Sequence, residues 1–149
     1  MTRSTLAPAI DAPPRFLDSP RAGRVAYYAD DSTPGRPLVL VHSLNAAPSA
    51  FEMKPLFESY RAHRPVYAID LPGFGLSERG DRRYDPDLES AAIEDFMKDV
   101  LEEKADVVAL SLGAELAARA ASRVPERFSS LVLISPTGFG LGSVPGEET

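Results

Sequence analysis

The sequence predicts an α/β fold: a three-layer sandwich in which a mostly parallel, doubly wound sheet is covered by helices on both faces. Two observations carry this. Short apolar runs recur at 37–43, 64–72, 106–110 and 128–136, and the segments between them place apolar residues at helical spacing. Strands covered on both faces have no solvent side to keep polar, so they read as unbroken apolar runs rather than alternating ones. Strand alternating with helix implies parallel pairing through right-handed crossovers.

Residues 1–14 carry scattered charge and prolines and read as a flexible lead-in, with a core over 15–140 and a flexible tail over 141–149. RVAYYAD (24–30) is a short strand, and DSTPGRP is a turn punctuated by Pro34, Gly35 and Pro37. In 37–43 the run Leu38-Val39-Leu40-Val41 marks a central strand. Over 48–61, Phe51, Leu56, Phe57 and Tyr60 lie near helical spacing, with Pro55 distorting or restarting the helix. A second buried strand follows at 64–72, then the polar loop PGFGLSERGDRRYDP. Asp85 reads as a helix cap with Pro86 in the first helical position, and Ile93, Phe96, Met97, Val100 and Leu101 form one buried helix face.

The strand 106–110 is expected to be central. It runs into a helix whose Leu116, Ala117, Ala120 and Val124 point one way, while Arg119, Arg123 and Arg127 share another face. That arginine stripe reads either as an ordinary solvated face or as a docking surface for an acidic partner. The strand 128–136 closes the series; its outer edge and part of its apolar face have nothing to cover them, so self-association through the sheet edge is expected.

Composition narrows the function. The 149 residues suit one domain, with 44% hydrophobic residues to fill its core. Sixteen Lys and Arg against 22 Asp and Glu give a net charge of −6, which argues against nucleic acid or an anionic membrane surface as partner. The chain has no cysteine, hence no disulfide and no thiolate nucleophile, and its two histidines leave little for metal; no metal or cofactor is expected. No apolar run is long enough for a signal peptide or membrane span, so a cytoplasmic location is expected.

The chemistry collects where parallel strands end, at their carboxyl edges. Three loops meet that description: HSLNAA, DLPGFGLS and SLG. In Ala109-Leu110-Ser111-Leu112-Gly113 the serine falls on the break between strand and helix. Such a turn strains the serine backbone and needs very small residues two before and two after it, as Ala109 and Gly113 are. Ser111 would then stand at a helix N-terminus, where backbone N–H groups favour negative charge. The N–H groups of Leu112 and Leu44 are candidate oxyanion donors, an acyl-transfer arrangement. A serine at this place can equally do no more than cap its helix. Dinucleotide and phosphate-loop readings fail: Gly73-Phe74-Gly75 lacks a third glycine and an immediate helix, and Asp81-Arg82 stands where a phosphate loop needs Lys-Ser/Thr.

Over about residues 24–140 the chain resembles the α/β-hydrolase family. VLVHSLNAA looks like its strand and His-Gly oxyanion loop, AIDLPGFGLSE like its Asp-x-x-Gly-x-Gly-x-Ser loop, and VVALSLGAELAARAASRVPERFSSLVLISP like its nucleophile elbow, following helix and next strand. Ser43 stands where the family usually has glycine, and Ala109 where it has the first glycine of Gly-x-Ser-x-Gly. The resemblance implies an esterase-like acyl hydrolysis of a small-molecule substrate through Ser111, with His42 and Ser43 shaping the oxyanion loop. A serine nucleophile disfavours the dehalogenase and epoxide-hydrolase branches, which use aspartate.

The resemblance also implies an acid and a histidine on loops after later strands. His63, just before the strand 64–72, is expected at the wrong edge of the sheet to serve Ser111. His42 is at the right edge but is expected to shape the loop. After LVLISPTGFG only LGSVPGEET remains. Two expectations follow: the chain is the N-terminal part of a serine hydrolase, inactive or feeble by itself, or it is a hydrolase-derived binding module that does not catalyse.

Overall fold

In the computed structural model, residues 7–44 and 48–137 are described. Strands β1 (Pro14–Ser19), β2 (Gly23–Asp30), β3 (Leu38–Val41), β4 (Val66–Ile69), β5 (Ala105–Leu110) and β6 (Phe128–Ile134) form one sheet in the order β1-β2-β4-β3-β5-β6. β3 pairs in parallel with β4 and β5, and β5 with β6; β1–β2 and β2–β4 are antiparallel. The mostly parallel sandwich expected from the sequence is therefore present, with an antiparallel ribbon added at one edge.

Sequence reading missed β1. PRFLDS has no long apolar run, and of its two large apolar side chains Leu17 packs against the core while Phe16 stays 41% exposed under the Arg24 guanidinium, 3.8 Å from the ring centroid. It is a strand because β2 offers it a hairpin partner, with Pro14 in the first position of an edge strand where a missing N–H costs nothing. Within the expected lead-in, Ile10 is buried against Tyr28, Leu40 and Phe57, and the Ala9 N–H donates to the Tyr28 hydroxyl at 3.0 Å. The stretch 7–14 is thus anchored to the core. Residues 1–6 and the expected tail at 141–149 lie outside the described residues.

The helices divide between the faces. α2 (Pro86–Asp99) and α3 (Leu112–Arg123) pack Ile93, Phe96, Met97, Leu116 and Ala117 on Val39, Val41, Ile69 and Val107; α1 (Lys54–Tyr60) packs Phe57 on Leu38, Leu40 and Val66 on the other face. The expected Asp85 cap is present, its carboxylate accepting from the Leu88 N–H at 2.9 Å, with Pro86 at the helix start. Around Pro55 the chain forms a short 3₁₀ turn, Ala50–Met53, and then restarts as α1. The restart expected at Pro55 is thus present; Phe57 is buried, while Phe51 is 61% and Tyr60 41% exposed.

The arginine stripe faces α2. Arg119 and Arg123 both reach Asp87 at 3.0 Å, Arg123 also reaches Glu94 at 3.4 Å, and Arg127 donates to the Leu101 carbonyl at 3.4 Å. On the opposite face, among the described residues, β6 leaves Val132 and Ile134 exposed. Val132 and Ile134 of β6 line a groove of about 520 Å³ with Leu38, Leu56, Tyr60 and Val108.

Candidate functional site

The chain leaves β3 towards α1 on one face and leaves β5 towards α3 on the other, so the carboxyl ends of these adjacent strands bound a crevice at a topological switch point. Ser111 and the segment His42 to Leu44 stand there.

Ser111 has φ 56° and ψ −122°, a backbone conformation that L residues rarely adopt and that costs on the order of 1–3 kcal/mol. Its N–H donates to the Ile134 carbonyl at 2.8 Å and its carbonyl accepts from the Ala114 N–H at 3.0 Å, so neighbours on both sides hold the strain. The side chain makes no capping bond to α3. That settles the alternative left open by the sequence: the serine opens the helix without capping it. Ala109 is fully buried, and a Cβ at Gly113 would run into the carbonyl oxygen of His42. The small residue there is what lets the start of α3 reach the end of β3.

Leu112 is the first residue of α3, where N–H groups have no intrahelical partner. Leu44 and Leu112, the expected oxyanion donors, line one cavity of about 120 Å³.

His42 is fully buried. Its Nε2 accepts the Leu71 N–H at 2.9 Å, which puts the proton on Nδ1, and Nδ1–H donates to the Ser43 carbonyl at 2.6 Å. Burial pushes its pKa below the ordinary histidine value, partly offset by the Ser43 carbonyl. With both nitrogens used and the ring neutral, His42 ties the loop after β3 to the loop after β4. His63 is exposed just after α1, near the amino end of β4, away from Ser111.

The loop after β4 folds around Asp70, fully buried, whose carboxylate accepts from the Ala50 and Leu76 N–H groups at 2.8 and 2.9 Å. Gly75, at φ 53°, has no room for a Cβ because the Asp70 carboxyl occupies the place.

Two side chains near the crevice escaped sequence reading. Ser43 Oγ donates to the Glu52 carboxylate, 2.6 Å from Oε1 and 2.8 Å from Oε2. Glu89 of α2 is 2% exposed, neither carboxyl oxygen has a hydrogen-bond partner among the described residues, and it lines the same cavity as Leu44 and Leu112. Burial pushes its pKa up to about 8. A signal existed for Glu89, since it lies four residues before Ile93 on the buried face; none existed for a Ser43–Glu52 pair. Among the described residues no group of three or more His, Asp or Glu could hold a metal, and no helix is long and apolar enough to cross a membrane.

A model of the alpha/beta hydrolase family matches residues 38–148. A 1-acylglycerol-3-phosphate O-acyltransferase of Rattus norvegicus is 36% identical over 109 residues, covering 69% of this chain and 30% of that protein. An uncharacterized hydrolase of Bacillus subtilis, YugF, is 31% identical over 116 residues, covering 76% of this chain and 41% of the relative. A probable hydrolytic enzyme from Pseudomonas aeruginosa superposes with a TM-score of 0.75 at 26% identity, covering 87% of this chain and 43% of that structure. The chain thus spans less than half the length of each of these three.

Proposed function

The chain belongs to the alpha/beta hydrolase family, and from that premise we propose that Ser111 is the nucleophile of an esterase-like acyl transfer. One observation carries the reading: a serine held at φ 56° on the strand-to-helix turn, its side chain not spent on capping α3. The likeness to a named O-acyltransferase and to hydrolases supports the reaction class. Ser111 Oγ attacks the carbonyl carbon of an ester, and the oxygen that gains charge is held by the N–H groups of Leu112 and Leu44, each worth roughly 10²- to 10³-fold in rate in such sites.

The proton on Oγ must go to a base, and neither histidine of the chain is placed to take it. An aliphatic hydroxyl without a base is a poor nucleophile, and base assistance typically contributes about 10²- to 10⁴-fold. The 149-residue chain is therefore expected to hydrolyse an activated ester such as p-nitrophenyl acetate feebly and to resist fluorophosphonates. A longer form carrying a later acid and histidine should gain activity that Ser111→Ala abolishes. Rapid fluorophosphonate labelling of Ser111 in the short chain, lost in His42→Ala, would overturn this assignment. The engagement of the His42 ring by Leu71 and Ser43, with His63 exposed near the amino end of β4, also favours a second reading, a binding module on a hydrolase frame; a longer form that labels no faster than the short one would establish it.

A further inference from the structure

Where the family usually has glycine, this chain has Ser43, 5% exposed and hydrogen-bonded through Oγ to the carboxylate of Glu52. The short O–H···O contact of 2.6 Å is that of a charge-assisted bond. We propose that Glu52 is a positioning residue: by holding Ser43 it fixes the peptide plane that carries the Leu44 N–H. This rests on the reading of Leu44 as an oxyanion donor.

The Ser43 carbonyl and the Leu44 N–H belong to one peptide unit and, in a trans peptide, point in opposite directions. His42 Nδ1–H holds that carbonyl at 2.6 Å, so the Leu44 N–H points away from the imidazole. One bond to the oxygen still lets the plane rock about it. The Glu52 bond fixes the side chain on the Cα that begins the same unit, a second point off the carbonyl oxygen, and so resists the rocking. Glide of Glu52 itself is prevented: its 3₁₀ turn is capped by Ser49 Oγ, which accepts the Phe51 N–H at 3.1 Å, and is tied to the β4 loop by the Ala50 N–H on Asp70 at 2.8 Å. A glycine at 43 would have no side chain for Glu52 to hold. Serine with Glu52 adds an anchor that glycine cannot supply.

The test is ¹⁵N relaxation of the full chain, wild type against Glu52→Gln, Glu52→Ala and Ser43→Ala. The Leu44 N–H order parameter should be about 0.85 in the wild type and in Glu52→Gln, whose amide oxygen still accepts from Ser43, and below about 0.6 in the two alanine variants, with β3 and β5 unchanged. The inference is overturned if Leu44 is equally ordered in all four chains, if Ser43→Ala leaves it ordered while Glu52→Ala loosens it, if Glu52→Gln is as loose as Glu52→Ala, or if loosening spreads through β3. Hydrolysis of p-nitrophenyl acetate by the longer form carrying a later acid and histidine, with and without Ser111→Ala, is scored separately: an unchanged rate there would sink the ester reading and leave the relaxation result to decide the anchor.

Discussion

Replacing Glu89 with glutamine should flatten the chain's stability between mildly acid and mildly alkaline pH. The carboxyl is 2% exposed, has no hydrogen-bond partner and is held protonated by burial up to about pH 8. In the unfolded chain it ionises near the ordinary 4.5. The folded state therefore keeps a proton that the unfolded state releases. The native state suffers no penalty from this group below about pH 4.5, and stability is lost progressively as pH rises towards 8. At 1.36 kcal/mol for each pKa unit, the loss between pH 5 and pH 8 is about 3–4 kcal/mol, and about half of that if water entering the cavity beside Leu44 and Leu112 solvates the anion. Urea unfolding across that range, followed by circular dichroism, reads it as the difference between wild type and Glu89→Gln. The glutamine amide also lacks partners, at a cost of about 1–3 kcal/mol that does not vary with pH, so the slope of the difference is diagnostic and its absolute level is not. His42 and the surface groups titrate alike in both chains and cancel. Two curves that run parallel from pH 5 to pH 8 would refute the reasoning.

Gly113→Ala should destabilise the fold by about 1–3 kcal/mol, because the methyl group meets the His42 carbonyl and either β3 or α3 must shift; urea midpoints at matched slopes check it. Asp106 sits where Arg64, Arg36 and Ser130 converge at 2.6, 2.9 and 2.6 Å, and those bonds outweigh burial to hold its pKa at about 2. Its contribution is complete above about pH 4 and lost as pH falls to 2; screened by nearby solvent it is about 1 kcal/mol, and Asp106→Asn should remove that much of the acid sensitivity. In size-exclusion chromatography the chain should elute ahead of its 16.1 kDa monomer, since among the described residues β6 has a strand neighbour on one side only and leaves Val132 50% exposed; Val132→Lys should restore the monomer, and a monodisperse wild-type monomer would count against the idea.

How much of this was legible in the sequence depended on whether the cause was local. The run 38–41 had to be buried on both faces and is; the Asp85-Pro86 start is written in two adjacent residues; the elbow follows from small residues at fixed offsets around Ser111. What escaped has partners far along the chain. β1 is a strand through its pairing with β2, not through its own composition. The restart at Pro55 was legible, but spacing alone does not show that Phe51 falls in a separate 3₁₀ turn and stays exposed. The arginine stripe found its acids on α2, some 30 residues earlier in sequence. Glu89 lay in the buried pattern, but only the folded packing shows that nothing meets its carboxyl.

The bond from the Ser111 N–H to the Ile134 carbonyl also sets an order of events during synthesis. Strain at the elbow persists only while its surroundings over-determine it, and one of the two holds belongs to the last residue of β6. A nascent chain released only as far as α3 can close the sheet through β5, yet its serine is free to relax into an ordinary helix start. The strained turn is held from both sides only once the ribosome has delivered residue 134 and β6 has docked, so the backbone conformation at Ser111 and the pairing of β5 with β6 are set by the same step.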